Sequence, residues 1–189
     1  LVVKISKGSK IMGLAEAIAE VQMPVYGVVD LDNPLDLTLC SIFLSIGFDM
    51  SITLNFISSR YPPCPFDTRM SPLRIRTANR RNRAKDLILE EFLEHCQPLR
   101  NPFRWEGTIT LEGIPFSGTM WYYAAPLRAS GFNFQSEKSF VSGFSYGPSC
   151  DEMIELLEGL QVLNGRDDVI REYDRKSAGL NVGSPITKI

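Results

Sequence analysis

Along residues 48–56 every second position is apolar: Phe48, Met50, Ile52, Leu54 and Phe56 alternate with Asp49, Ser51, Thr53 and Asn55. A period of two sends successive side chains to opposite faces, so this run predicts a strand with one face buried and the other wet. The rhythm returns at residues 105–112, where Trp105, Ile109 and Leu111 are separated by Glu106, Thr108, Thr110 and Glu112. Gly113 follows as a turn residue, and residues 114–123 predict the returning strand, which ends in Trp121-Tyr122-Tyr123. Further β-like pieces at residues 132–134 and 139–146 extend this hairpin into an antiparallel meander.

Elsewhere the period lengthens. Ile11, Leu14, Ala15, Ile18 and Val21 recur at three- and four-residue steps, with Glu16 and Glu20 on another face, which predicts an amphipathic helix stopped by Pro24. Residues 1–5 and 25–29 are apolar and β-branched, so the first thirty residues read β-α-β. Residues 82–96 predict a helix whose apolar side carries Ala84, Leu87, Ile88, Phe92 and Leu93. Ser149-Cys150-Asp151-Glu152 is a capping box opening a further helix, with Met153, Leu156, Leu157, Leu160 and Leu163 inward as far as Asn164-Gly165. The last helix, residues 167–176, has Asp167-Asp168 in its first turn and Arg175-Lys176 in its last, the order a helix dipole favours. Residues 35–46 read equally as a helix opened by Asn33-Pro34 or as a strand in which Leu35, Leu37 and Leu39 alternate with Asp36 and Thr38. Residues 58–72 predict a loop, since Pro62, Pro63 and Pro65 remove backbone donors.

Together these elements predict an α+β fold: an N-terminal β-α-β unit plus an antiparallel meander, helices packed on the sheet, and two C-terminal helices. At 189 residues the chain suits one domain, expected over residues 1–176, with a loosely ordered tail at 177–189. A hydrophobic fraction of 44% and a charged fraction of 22% exclude wholesale disorder. No run reaches the roughly 18 apolar residues of a spanning helix, and the opening LVVKISKGSK has no apolar leader region, so the expectation is a cytoplasmic protein without membrane contact. Cys40, Cys64, Cys96 and Cys150 show no metal-ligand spacing, and no cofactor motif is present; whether they pair is left open.

Asp30 and Asp32 leave the end of an apolar strand two residues apart, a spacing that can hold Mg²⁺ against a phosphate. This run, VVDLDNP, is similar to the opening motif of the haloacid-dehalogenase-type phosphatases, in which a hydrophobic strand precedes D-x-D. The resemblance implies a Mg²⁺-dependent phosphoryl-transfer enzyme with Asp30 as nucleophile or metal ligand and Asp32 as acid/base or ligand. It spans about eight residues and departs from that family where Pro34 follows Asn33; the same residues are also turn formers and helix caps. Lys7-Gly8-Ser9-Lys10 lacks the spacing of a phosphate loop and reads as an exposed turn. His95 and Cys96 are neighbours on one helix and point about 100° apart, so they do not form a nucleophilic pair.

Charge is segregated. Residues 60–85 hold eight basic side chains against the single Asp67, and residues 151–174 hold eight acids against Arg166 and Arg171. Arg80, Arg81, Arg83 and Lys85 stand where a helix begins, against the sign the dipole favours. These four, with Trp121 and Tyr123 on one face of a strand, are the candidate binding residues. The expected function is a non-catalytic protein-binding module, such as an immunity-type inhibitor or accessory subunit, acting by electrostatically steered association with another protein. A nucleic-acid-binding accessory protein using residues 74–85 is the alternative, disfavoured by a pI of about 5.5. A homodimer that satisfies both charged segments is open too.

Overall fold

The computed structural model describes residues 2–5, 13–30, 35–45, 50–61, 73–79, 102–124 and 128–178, the first segment by backbone alone. In chain order the elements are β1 (Val2–Ile5), α1 (Leu14–Val21), β2 (Tyr26–Val28), β3 (Leu37–Ser45), β4 (Ser51–Ser58), β5 (Leu73–Asn79) and β6 (Phe103–Leu111). There follow β7 (Ile114–Tyr123), β8 (Ala129–Gln135), β9 (Ser139–Tyr146), α2 (Cys150–Glu158), β10 (Leu160–Val162) and α3 (Asp167–Ala178). Eight strands form one sheet in the order β1-β3-β4-β5-β9-β8-β7-β6, antiparallel throughout except that β1 runs parallel to β3. The architecture is α+β and mostly antiparallel.

The meander follows from its turns. Between β6 and β7, Glu112 and Gly113 both have positive φ, +49° and +81°. That is the two-residue hairpin geometry whose twist matches the flanking strands, and a glycine at its second position carries no steric cost. Of residues 35–46, which read equally as helix or strand, Leu37–Ser45 resolve as strand, with a register shift between Leu39 and Ser41. The extra residue changes the phase of alternation, so Leu37 and Leu39 before it and Ile42 and Leu44 after it all reach the same buried face.

Two further points differ from the periodic reading. The order β-α-β opens the chain, but β1 pairs with β3, while β2 lies in a separate two-stranded sheet with β10. The helix expected to reach Asn164 ends at Gly159, and Leu160 to Val162 become β10. Gly159 is the C-cap, its N–H making the last bond of the helix to the Glu155 carbonyl at 3.0 Å, and Leu160 then turns its side chain into the core from the strand. The helix expected at residues 82–96 lies outside the described residues, as do most of the expected loop at 58–72 and residues 179–189 of the tail.

The three helices among the described residues and the β2–β10 ribbon lie against one side of the large sheet. From the sheet come Ile42, Leu54, Ile75, Phe132 and Met120, aligned across neighbouring strands. Against them the helices bury Leu14, Ala17, Ile18 and Val21, then Met153, Leu156 and Leu157, then Val169, Ile170 and Tyr173. Burying such side chains contributes roughly 1.5–3 kcal/mol each. Tyr173 fixes the layers: its ring packs on Phe56 at 5.8 Å, and its hydroxyl donates to the Val28 carbonyl at 2.5 Å. No helix among the described residues is long and apolar enough to cross a membrane.

Candidate functional site

Among the described residues a concavity opens on the helix-bearing side, at the start of β2. It has a volume of about 350 Å³ and is lined by Pro24, Tyr26, Ile114, Pro115 and the β8–β9 turn, Ser136 to Ser139. Each wall is held by its own local chemistry. Asn164 grips the backbone on both sides of Pro24, accepting from Val25 N–H at 2.8 Å and donating to the Met23 carbonyl at 3.0 Å. Tyr26 donates its N–H to Thr77 Oγ1 at 3.1 Å, and its ring stands edge-on to Phe116 at 5.2 Å. Ile114 and Pro115 are placed by the Glu112-Gly113 turn, which leaves Ile114 45% exposed.

The fourth wall is a serine-closed turn. Ser136 N–H bonds the Ser139 carbonyl at 2.9 Å, and its Oγ accepts from Ser139 N–H at 3.0 Å and Lys138 N–H at 3.3 Å. Glu137 and Lys138 are exposed beside this turn and give the groove a charged rim. The Tyr26 hydroxyl is held above its usual range, first by burial and then by the nearby Glu112 carboxylate, so it stays protonated. An apolar floor with a polar rim and hydrogen-bonded walls suits the anchoring of one apolar side chain.

A second cluster sits at the start of α2. Ser149 closes the expected capping box: Glu152 N–H donates to Ser149 Oγ, and Ser149 N–H donates to the Glu152 carboxylate at 2.8 Å. Tyr61 donates its hydroxyl to the same carboxylate at 2.8 Å. These bonds, the Ser149 N–H foremost, hold the Glu152 carboxyl below its usual range. Burial and the Asp151 charge push the Cys150 thiol up. A thiol shifted in that direction is a poor nucleophile at neutral pH, so this cluster reads as a helix anchor.

Asp30 is exposed, and Asp32 lies outside the described residues, as do Arg80, Arg81, Arg83, Lys85, His95 and Lys7 to Lys10. Among the described residues no group of three or more acidic, histidine or cysteine side chains is placed to hold a metal ion. Alternation does send Trp121 to the sheet face away from the helices and Tyr122 to the opposite one. Tyr123 shares the face of Trp121 but is only 7% exposed, so it presents little surface to a partner. Trp121 is half-buried, with the Arg104 guanidinium 6.0 Å above its ring.

Of the basic segment, Arg74 and Arg76 are described, both half-buried on that same face. Arg74 Nε donates to Asn55 Oδ1 at 2.7 Å, and its guanidinium lies 4.9 Å from the Phe144 ring. Arg74 is thus built into the sheet surface. Sequence reasoning passed over the groove because its lining comes from three separated segments; the local signal was Ile114-Pro115, an apolar pair directly after a turn. No family model matches this chain, and the comparisons with curated proteins and solved structures found no match.

Proposed function

We propose that the chain is a non-catalytic protein-binding module, an inhibitor or accessory subunit, whose groove at the start of β2 receives an apolar side chain of another protein. The observation that carries this reading is the groove itself: an apolar floor of Pro24, Tyr26, Ile114 and Pro115 with a charged rim. Its walls are fixed by hydrogen bonds from the Asn164 and Ser136 side chains to the backbone, so little order has to be gained on binding. The acidic side chains Asp151, Glu155, Glu158, Asp167, Asp168 and Asp174 are exposed on α2 and α3. They favour a partner with a basic surface and an association rate that falls as salt rises.

Site-specific photocrosslinking in cells tests the reading. A photoreactive residue in place of Ile114 should give one discrete adduct, while the same group in place of Glu20 on α1 should not. Adding Ile114→Asp to a chain carrying the crosslinker at Lys138 should remove the adduct, because a carboxylate in the apolar floor costs about 2 kcal/mol or more of affinity. Equal labelling from Ile114 and Glu20 would overturn the assignment of the groove.

A further inference from the structure

β6 is an outer strand of the large sheet, and among the described residues nothing pairs with its free backbone edge. The strand is nine residues long, Phe103–Leu111, whereas β1 at the other edge has four. Sheets usually guard a long edge with proline, lysine, a bulge or an inward-pointing charge. The β6 sequence FRWEGTITL has no proline or lysine, and it pairs with β7 without a register shift from end to end. Its charges, Arg104 and Glu106, form an ion pair with each other on the face away from the helices. At its centre Gly107 has no side chain, and the Trp105 indole lies over it, so that a Cβ there would meet Cζ2 at 2.4 Å. Phe103 is 57% exposed.

We propose that β6 pairs antiparallel with β6 of a second copy of this chain, about a two-fold axis at Gly107, joining two sheets edge to edge. In this register Phe103 faces Leu111 of the second copy, Arg104 faces Thr110, Trp105 faces Ile109 and Glu106 faces Thr108, and every contact repeats in reverse. A two-fold contact requires such self-complementarity. A slip of one residue would set the helix-bearing face of one copy beside the opposite face of the other. Centring the axis on Arg104 or Glu106 would place like charges directly opposite. Centring it on Thr108 shortens the pairing and sets Thr110 against Glu106. The Gly107 register uses the whole strand and opposes no like charges directly. The contact uses the outer edge of β6, whereas the groove uses Ile114 and Pro115, which lie across its inner edge from Leu111 and Thr110.

Sedimentation velocity on the full chain over a concentration series tests this, with substitutions at Thr110, which is exposed on the face away from the helices. The unmodified chain should show a concentration-dependent dimer. Thr110→Arg, set against Arg104 of the second copy, should weaken it about tenfold, and Thr110→Glu should tighten it about threefold. Both variants should melt with the unmodified chain, which separates edge pairing from folding. A monomer at every concentration up to roughly 1 mM would overturn the proposal. So would the opposite signs, which mark the axis at Thr108, or equal weakening by the two variants.

Discussion

Neighbouring residues of the same strands meet two different environments on the two faces of the large sheet. Phe56, Ile75 and Phe132 point to the helices and are fully buried. One position away, Asn55, Arg74 and Asn133 point to the other face, and Asn55 is still only 2% exposed. Burial therefore does not distinguish the faces; the mixture does, since the helix-bearing face is mainly apolar around Thr77, Ser130, Ser139 and Ser145, while the other sets polar side chains beside the buried rings of Phe144 and Tyr146. The helix-bearing face is stabilised by removing apolar surface from water, which is non-directional. The other face carries Ser51, Thr53, Asn55 and Ser142 at 7% exposure or less, and buried polar groups hold only while their hydrogen bonds are made. Substitutions on the two faces should then fail in different ways.

The largest effect is expected on the helix-bearing face. Phe132→Ala removes a ring aligned with Met120 and Gly143 on the adjacent strands and leaves a cavity under the helices. It should cost about 3–5 kcal/mol in urea unfolding. A loss below about 1 kcal/mol would show that this face is not the principal core.

The other face should respond next, through the contacts of one side chain. Arg74→Met keeps most of the side-chain stem but removes the donor to Asn55 Oδ1 and the guanidinium over Phe144. The expected loss is about 1–3 kcal/mol, most of it from the buried amide left short of a donor. A double-mutant cycle with Asn55→Ala should show coupling of about 1 kcal/mol or more, whereas additive losses would break the link between the two residues.

The same contrast explains what the sequence disclosed. Alternation in residues 48–56 and 105–112 located strands and chose their apolar faces, but the face of Ser51, Thr53 and Asn55, expected to be wet, is buried as well. Residues 37–45 defeated it, since the register shift after Leu39 reverses the phase halfway along. Leu160 and Leu163 fit a continuing helix as well as they fit β10, and only the pairing of Leu160 with Val28, 132 positions earlier, settles between them. Capping was legible because Ser149 and Glu152 bond each other within one turn. The groove was not, because Pro24, Ile114 and Ser139 meet only after the sheet has closed.

A smaller effect, confined by pH, is expected where the helical layer is tied to the sheet's end. Glu152 accepts from Ser149 N–H and from the Tyr61 hydroxyl, and its carboxyl titrates lower in the folded chain than in the unfolded one. A depressed acid contributes stability that is present above the unfolded value and lost as pH falls through the folded one. Glu152→Gln should therefore cost about 1 kcal/mol at neutral pH, the usual worth of such a cap, and progressively less in acid. Urea unfolding of both chains across that range checks it. A gap that stays constant into strong acid would assign the effect to packing.

The finest test sets two serines of β9 against each other. Ser145 points to the helices, where its Oγ donates to Met153 Sδ at 2.9 Å. Ser142 points to the other face, fully buried, and its Oγ has no hydrogen-bond partner among the described residues. Replacing a bonded hydroxyl removes a favourable contact, whereas replacing an unbonded buried one removes a desolvation cost. Ser145→Ala should lose about 0.5 kcal/mol, since sulfur is a weak acceptor, and Ser142→Ala should gain up to about 1 kcal/mol. The sign is the decisive quantity. If Ser142→Ala destabilises the chain as Ser145→Ala does, the hydroxyl has a partner in solution, and the other face is fully satisfied at that point.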